Sequence, residues 1–104
     1  MIVEVEHWKS DADGEFSEDT LRKKIESRGY SVSRYVYSPG VYFPDHTHGF
    51  GKIDGVVSGR FRMTMGGVSV VLKAGDCMFV PAGEIHSAEV VGNESVVSLD
   101  GSRK

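Results

Sequence analysis

The chain has 104 residues, 39% of them hydrophobic and 26% charged, with a formal net charge of −3. That is an ordinary globular mixture, long enough for one compact domain and too short for two. The mild acidity leaves no basic stripe to neutralise phosphates, so no nucleic-acid partner is expected. No run approaches the roughly 18–20 apolar residues that cross a bilayer, so no membrane partner is expected either. Acidic residues stand near the N-terminus where a signal peptide is basic, and Cys77, the single cysteine, excludes an internal disulfide. Both features point to a reducing cytoplasm.

In chain order, residues 2–8 come first. Val3 and Val5 alternate with Glu4 and Glu6, as in a terminal strand. A helix follows at about 17–28. Ser17 is its N-cap, Glu18 and Asp19 suit the positive end of its dipole, and Leu21 and Ile25 form a thin apolar stripe. Lys23, Lys24 and Arg28 lie towards its C-terminal end, and Gly29 stops it. The thin stripe suits a helix that leans on a larger body.

After Gly29 short runs rich in Val, Ile, Tyr, Phe and Met alternate with glycine-bearing turns, which predicts strands at about 30–37, 41–43, 53–58, 60–65, 68–73, 77–80, 86–91 and 95–99. Gly66-Gly67 reads as a two-residue hairpin, because a type I′ turn needs positive φ at both central positions. Phe61, Met63 and Met65 alternate with Arg60, Arg62 and Thr64, giving one apolar and one polar face. So many short antiparallel strands imply a barrel or jelly roll. Residues 102–104 read as a loose tail.

His46-Thr47-His48 carries the chemistry. Residues i and i+2 of a strand share a face, so both imidazoles can address one ion. A second element runs from Gly75 through Pro81 and Gly83 to His86, in which a turn glycine, a strand and a Pro-x-Gly turn lead to a histidine.

These two elements resemble the motifs of the cupin superfamily. Its first motif, G-x5-H-x-H-x3,4-E-x6-G, is matched by Gly40, His46, His48 and Gly59. Its second, G-x5-P-x-G-x2-H-x3-N, is matched by Gly75, Pro81, Gly83 and His86, and 15 residues, 60–74, separate the two. The resemblance covers about 35–99 and implies an all-β fold: a cupin-type double-stranded β-helix, or jelly-roll barrel. The expected domain is a single one over 1–104, with strand and helix in 1–29 and the barrel over about 30–99. It also implies that His46, His48 and His86 ligate one divalent transition metal, Fe, Mn, Ni, Cu or Zn. The alternative is a degenerate barrel whose histidines only hydrogen-bond inside it.

Two motif positions depart. Where the motif's glutamate ligand stands, the spacing gives Lys52 or Ile53; Asp54 is the nearest acid and reaches the ion only through a bulge or another register. Val90 replaces the closing asparagine. A three-histidine site is itself a cupin theme, found in thiol and diketone-cleaving dioxygenases that hold iron. Lys52 has two readings, an inward lysine that binds a substrate carboxylate and a surface turn lysine next to Gly51.

Phe50, Lys52 and Cys77 are the candidate pocket residues, with Phe50 as a gate or plug and Cys77 as either a lining thiol or a small buried hydrophobe. Tyr35, Tyr37, Tyr42 and Phe43 suit a pocket or a core. Glu84 sits in the turn before His86, and His7 reads as a surface or interface histidine. The resulting expectation is a metal-binding cupin with a small-molecule pocket, dioxygenase-like if it is an enzyme and Lys52 its candidate catalytic residue. A non-catalytic ligand-binding or sensing module, and an isomerase or lyase, are the alternatives. A homodimer joined through the strand at 2–8 is expected.

Overall fold

The computed structural model describes residues 3–103. The elements are β1 (Val5–Glu6), α1 (Ser10–Asp13), α2 (Glu18–Glu26), β2 (Ser31–Tyr37), β3 (Tyr42–His46), β4 (Gly51–Ser58), β5 (Arg60–Met65), β6 (Val68–Leu72), β7 (Cys77–Val80), β8 (His86–Val91) and β9 (Val96–Arg103). They form a five-stranded sheet in the order β1-β7-β4-β9-β2 and a four-stranded sheet in the order β3-β8-β5-β6. Every pairing is antiparallel. The double-stranded β-helix expected from the motifs is the architecture found.

Side-chain alternation sorts the five-stranded sheet into two faces. Lys52, Asp54 and Val56 of β4 point between the sheets, as do Met78 and Val80 of β7 and Val96, Ser98 and Asp100 of β9. With Phe61, Met63, Met65, Leu72, Ala88 and Val90 of the opposite sheet, the apolar members form the main core. The intervening residues Ile53, Cys77 and Leu99 point outward and meet Leu21 and Ile25 of α2.

α2 has nine residues, too few to be stable alone in water, so packing on this face holds it. Ser17 caps it through the Thr20 amide, and the Thr20 hydroxyl accepts from the Ser17 amide. Gly29 follows with φ +89°, the left-handed stop expected there. The helix approaches so closely that a Cβ on Gly55 would stand 2.8 Å from Ile25 Cδ1. Leu21 and Ile25 are both fully buried, each contributing about 1.5–3 kcal/mol of apolar burial.

Gly66 and Gly67 have φ +59° and +78°, so the hairpin between β5 and β6 takes the expected turn. Three expectations are corrected. Within 2–8 the strand is only Val5 and Glu6, opposite Met78 and Cys77, extended by the Phe79 amide donating to the Glu4 carbonyl at 3.1 Å; Ile2 lies outside the described residues. Ser102 and Arg103 are not a tail: β9 runs between β4 and β2, with Ser102 opposite Ser31 and Arg103 opposite Gly51. Lys104 lies outside the described residues. The barrel therefore extends past residue 99, its last strand held by neighbours on both sides.

Candidate metal centre and its pocket

β3 and β8 build the centre. His46 stands directly opposite His86 in their register, but a bulge intervenes between Phe43 and His46. Residues three apart in a regular strand face opposite ways. The bulge restores the phase, so Phe43 and His46 both face the cavity. His48 lies just beyond the end of β3, where its carbonyl accepts a hydrogen bond from the Gly83 amide at 2.8 Å. Gly83 has φ +81° in the turn in which the Glu84 amide bonds back to the Pro81 carbonyl. The two motif segments are thus tied together beside the histidines they carry.

One ring nitrogen of each of His46, His48 and His86 lies within 4.8 Å of the others. The ring centroids are 4.2 Å apart for His46 and His86, 5.0 Å for His46 and His48, and 5.2 Å for His48 and His86. His46 Nδ1 donates to the Pro44 carbonyl at 2.7 Å and His86 Nδ1 to the Glu84 carbonyl at 2.9 Å. Both Nε2 atoms are left with free lone pairs, the tautomer a metal ligand needs. Burial, followed by Lys52 and the neighbouring histidines, holds His48 below the ordinary imidazole pKa. Burial lowers His86 as well, against the Glu84 hydrogen bond. Three converging imidazoles fit a divalent transition metal, and no carboxylate joins them among the described residues.

The cavity beside them measures about 180 Å3. One wall, from the four-stranded sheet, carries His46 and His86 among the apolar Phe43, Phe61, Met63 and Ala88. The other, from the five-stranded sheet, carries Lys52, Asp54, Asp100 and Tyr37. The surface-turn reading of Lys52 is thereby overturned. Lys52 is only 8% exposed and its Nζ donates to Asp100 Oδ2 at 2.7 Å. Because Asp100 already neutralises it, a substrate carboxylate would have to compete for this ammonium.

Asp54 faces the cavity with no bulge needed, since it shares the phase of Lys52, yet it is not part of the three-nitrogen group. Burial, then the opposing Asp100, pushes its pKa up to about 7. Burial also lifts Tyr37 to about 12, so it remains a phenol.

Cys77 does not line the pocket. It points to the outer face beneath α2, where burial raises its thiol to about 11 and leaves it unreactive. Phe50 is also corrected: it is 40% exposed, with its ring 6.0 Å from that of His48, and borders a surface hollow with Ser31 and Arg103. Glu84 contributes its carbonyl to His86. His7 is exposed and pairs with the buried Asp76 at 2.7 Å, tying β1 to the loop before β7. Asp100 was missed by the sequence reading. The alternation Val96, Ser98, Asp100 carries its signal, provided the strand is continued past Leu99.

The Cupin domain family matches residues 33–100. No curated protein matches the chain by sequence. Among solved structures, an RmlC-like cupin from Shewanella frigidimarina is similar at 28% identity and TM-score 0.63, over 72% of this chain and 67% of that one. A conserved protein with a double-stranded β-helix domain from Klebsiella pneumoniae shares 26% identity at TM-score 0.61, over 71% of this chain and 66% of that one. The DMSP lyase DddQ from Ruegeria pomeroyi shares 27% identity at TM-score 0.62, over 71% of this chain and 39% of that one. The chain thus spans less than two thirds of the Klebsiella protein and about two fifths of the lyase. With the family matched over more than half its length and both motifs folded around one cavity, the chain belongs to the cupin family.

Proposed function

We propose that this cupin binds one divalent transition metal through His46, His48 and His86 and acts on a small chelating molecule in the adjoining cavity. The convergence of three imidazoles, two with Nδ1–H committed to backbone carbonyls, carries the reading. A bound ion would supply Lewis acidity and, were it iron, a route to oxidation by O2. The protein's own groups do the rest. His46 and His86 are oriented by Pro44 and Glu84, and Phe43, Phe61 and Met63 give the cavity an apolar wall beside them. With three neutral ligands the centre keeps its full positive charge, which suits an anionic substrate. The cavity, about 180 Å3, suits a small molecule.

Three-histidine iron oxidation is the first reaction to test. A lyase or isomerase is the second reading, favoured by the acidic pair Asp54 and Asp100 on the facing wall and by the lyase among the similar structures. Metal analysis of protein purified without chelator should give about one ion per chain, lost in His86→Ala. No stoichiometric metal, even after reconstitution with iron, zinc or nickel, would sink the reading. Oxygen uptake with thiols and diketones then separates oxidation from proton-transfer chemistry.

A further inference from the structure

The wall facing the histidines holds two carboxyl groups and a single cation. Asp54 and Asp100 are opposite one another in the β4–β9 register, both on the inward face, and Lys52 lies on that face two residues before Asp54. Lys52 Nζ donates to Asp100 Oδ2 at 2.7 Å and also lies 2.5 Å from Oδ1. Oδ1 is nevertheless buried without a well-directed hydrogen bond. One ammonium pairs with one carboxylate. Two half-buried carboxylates facing one another beside one ammonium resist ionising together, and a proton on Asp54 would satisfy the buried acceptor on Asp100.

We propose that Asp54 is the proton donor of this pocket: a neutral carboxyl group, held beside the Lys52–Asp100 ion pair, that hands its proton to a small oxyanion or carbonyl compound seated against His46, His48 and His86. The role as donor rests on the metal-site reading above; the neutral state of Asp54 does not. Asp100 and Lys52 are positioning residues, setting where the proton resides. The remaining titratable groups that line the cavity are Tyr37, which stays a phenol, and the three histidines.

The step moves one proton. The Asp54 O–H bond breaks as a bond from that hydrogen to a substrate oxygen or carbon forms, and the electron pair stays on Asp54. The carboxylate regains a proton from another position of the substrate or from water. Nothing is oxidised or reduced, so no co-reactant is needed. The substrate class is a small metal-chelating 2-oxo or 2-hydroxy acid, sized to the cavity, that isomerises or eliminates by proton transfer.

The test has two readouts. In metal-free protein labelled with 13C at aspartate carboxyls, one carboxyl should remain protonated at about pH 6, some two units above an ordinary aspartate. That signal should be absent from Asp54→Asn, whose amide preserves shape and can donate to Asp100. It should shift to the ionised position in Asp100→Asn, which removes the opposing charge. A spectrum with every carboxyl ionised, or a signal that survives in Asp54→Asn, overturns the proposal.

The second readout uses zinc-loaded protein and 2-oxobutyrate in D2O, following exchange of the probe's C3 hydrogens. Exchange should fall at least about 100-fold in Asp54→Asn while zinc content and probe binding are unchanged. Equal exchange in the variant, or none from native protein with the probe bound, overturns the donor role. Failure of the native chain to bind zinc instead fells the metal reading, and the carboxyl spectrum distinguishes the two.

Discussion

Lys52 and Asp100 form an ion pair whose breaking strands a charge away from water, their side chains being only 10% and 18% exposed. Lys52→Met keeps the stem and removes the ammonium. Urea unfolding should show a loss of about 3 kcal/mol, much of it from the unpaired Asp100. A loss below about 1 kcal/mol would mean that Asp100 finds another partner. Asp54 makes a pH prediction. Its folded-state pKa, about 7, lies above the ordinary 3.8, so the folded chain binds the proton more tightly. Its contribution is therefore fully present below about pH 4 and is lost as pH rises to about 7. The stability of Asp54→Asn relative to the native chain should accordingly increase across that window. A constant difference between the two would show that Asp54 ionises normally. Glu6 and Asp13, held low by Arg28 and Lys24, act oppositely, but only at more acid pH and equally in both proteins.

At the scale of elements, α2 positions the pocket from outside, and β9 forms part of its wall through Asp100. α2 covers the outer face of β4 and β9, which sends Ile53 and Leu99 outward and leaves Lys52, Asp54 and Asp100 inside. Leu21→Ala, at a fully buried position, should destabilise the fold by about 3 kcal/mol, measured by denaturation. Its effect on metal affinity should be small, because β3 and β8 belong to the other sheet. β9 is the interior strand on which β4 and β2 meet. Ending the chain after Leu99 strips β4 of its pairing through Asp100, Gly101, Ser102 and Arg103, and removes the Asp100 carboxylate. Circular dichroism of the truncated chain should show loss of the cooperative unfolding transition. A native-like transition would return these residues to the status of a tail.

At the scale of the whole molecule, metal and folding are linked. The three histidines come from strand ends and a loop that meet only in the folded barrel, so an ion bound there stabilises the native state by mass action. At 100 times the dissociation constant the gain is about 2.7 kcal/mol, and Tm should rise by about 10 °C or more for a chain of this size. His86→Ala should abolish the rise; a rise that survives the substitution would place the ion elsewhere. The open edge strand β2 shows Tyr35 and Val36 to solvent, 45% and 55% exposed. This edge, rather than the expected strand at 2–8, is where a homodimer would pair; a monomeric mass in light scattering would overturn it.

The sequence by itself determined the strand order of motifs, the capped helix and the three histidines, because each rests on local rules. Alternation, capping and turn glycines operate within a few residues, and His46, His48 and His86 lie in spacings that survive in isolation. Only the tertiary structure decided the chemistry of the facing wall. Lys52 beside Gly51 looks like a turn until β7 and β9 pair with β4 on either side and turn it inward. Cys77 looks like a pocket residue until register assigns it to the helix side. Asp100 has meaning only opposite Asp54, a pairing between residues 46 positions apart. Which of two faces a strand residue occupies depends on register, and register is set by partners distant in the chain. The three histidines were therefore legible from sequence, whereas Asp100 and its ion pair with Lys52 on the facing wall were not.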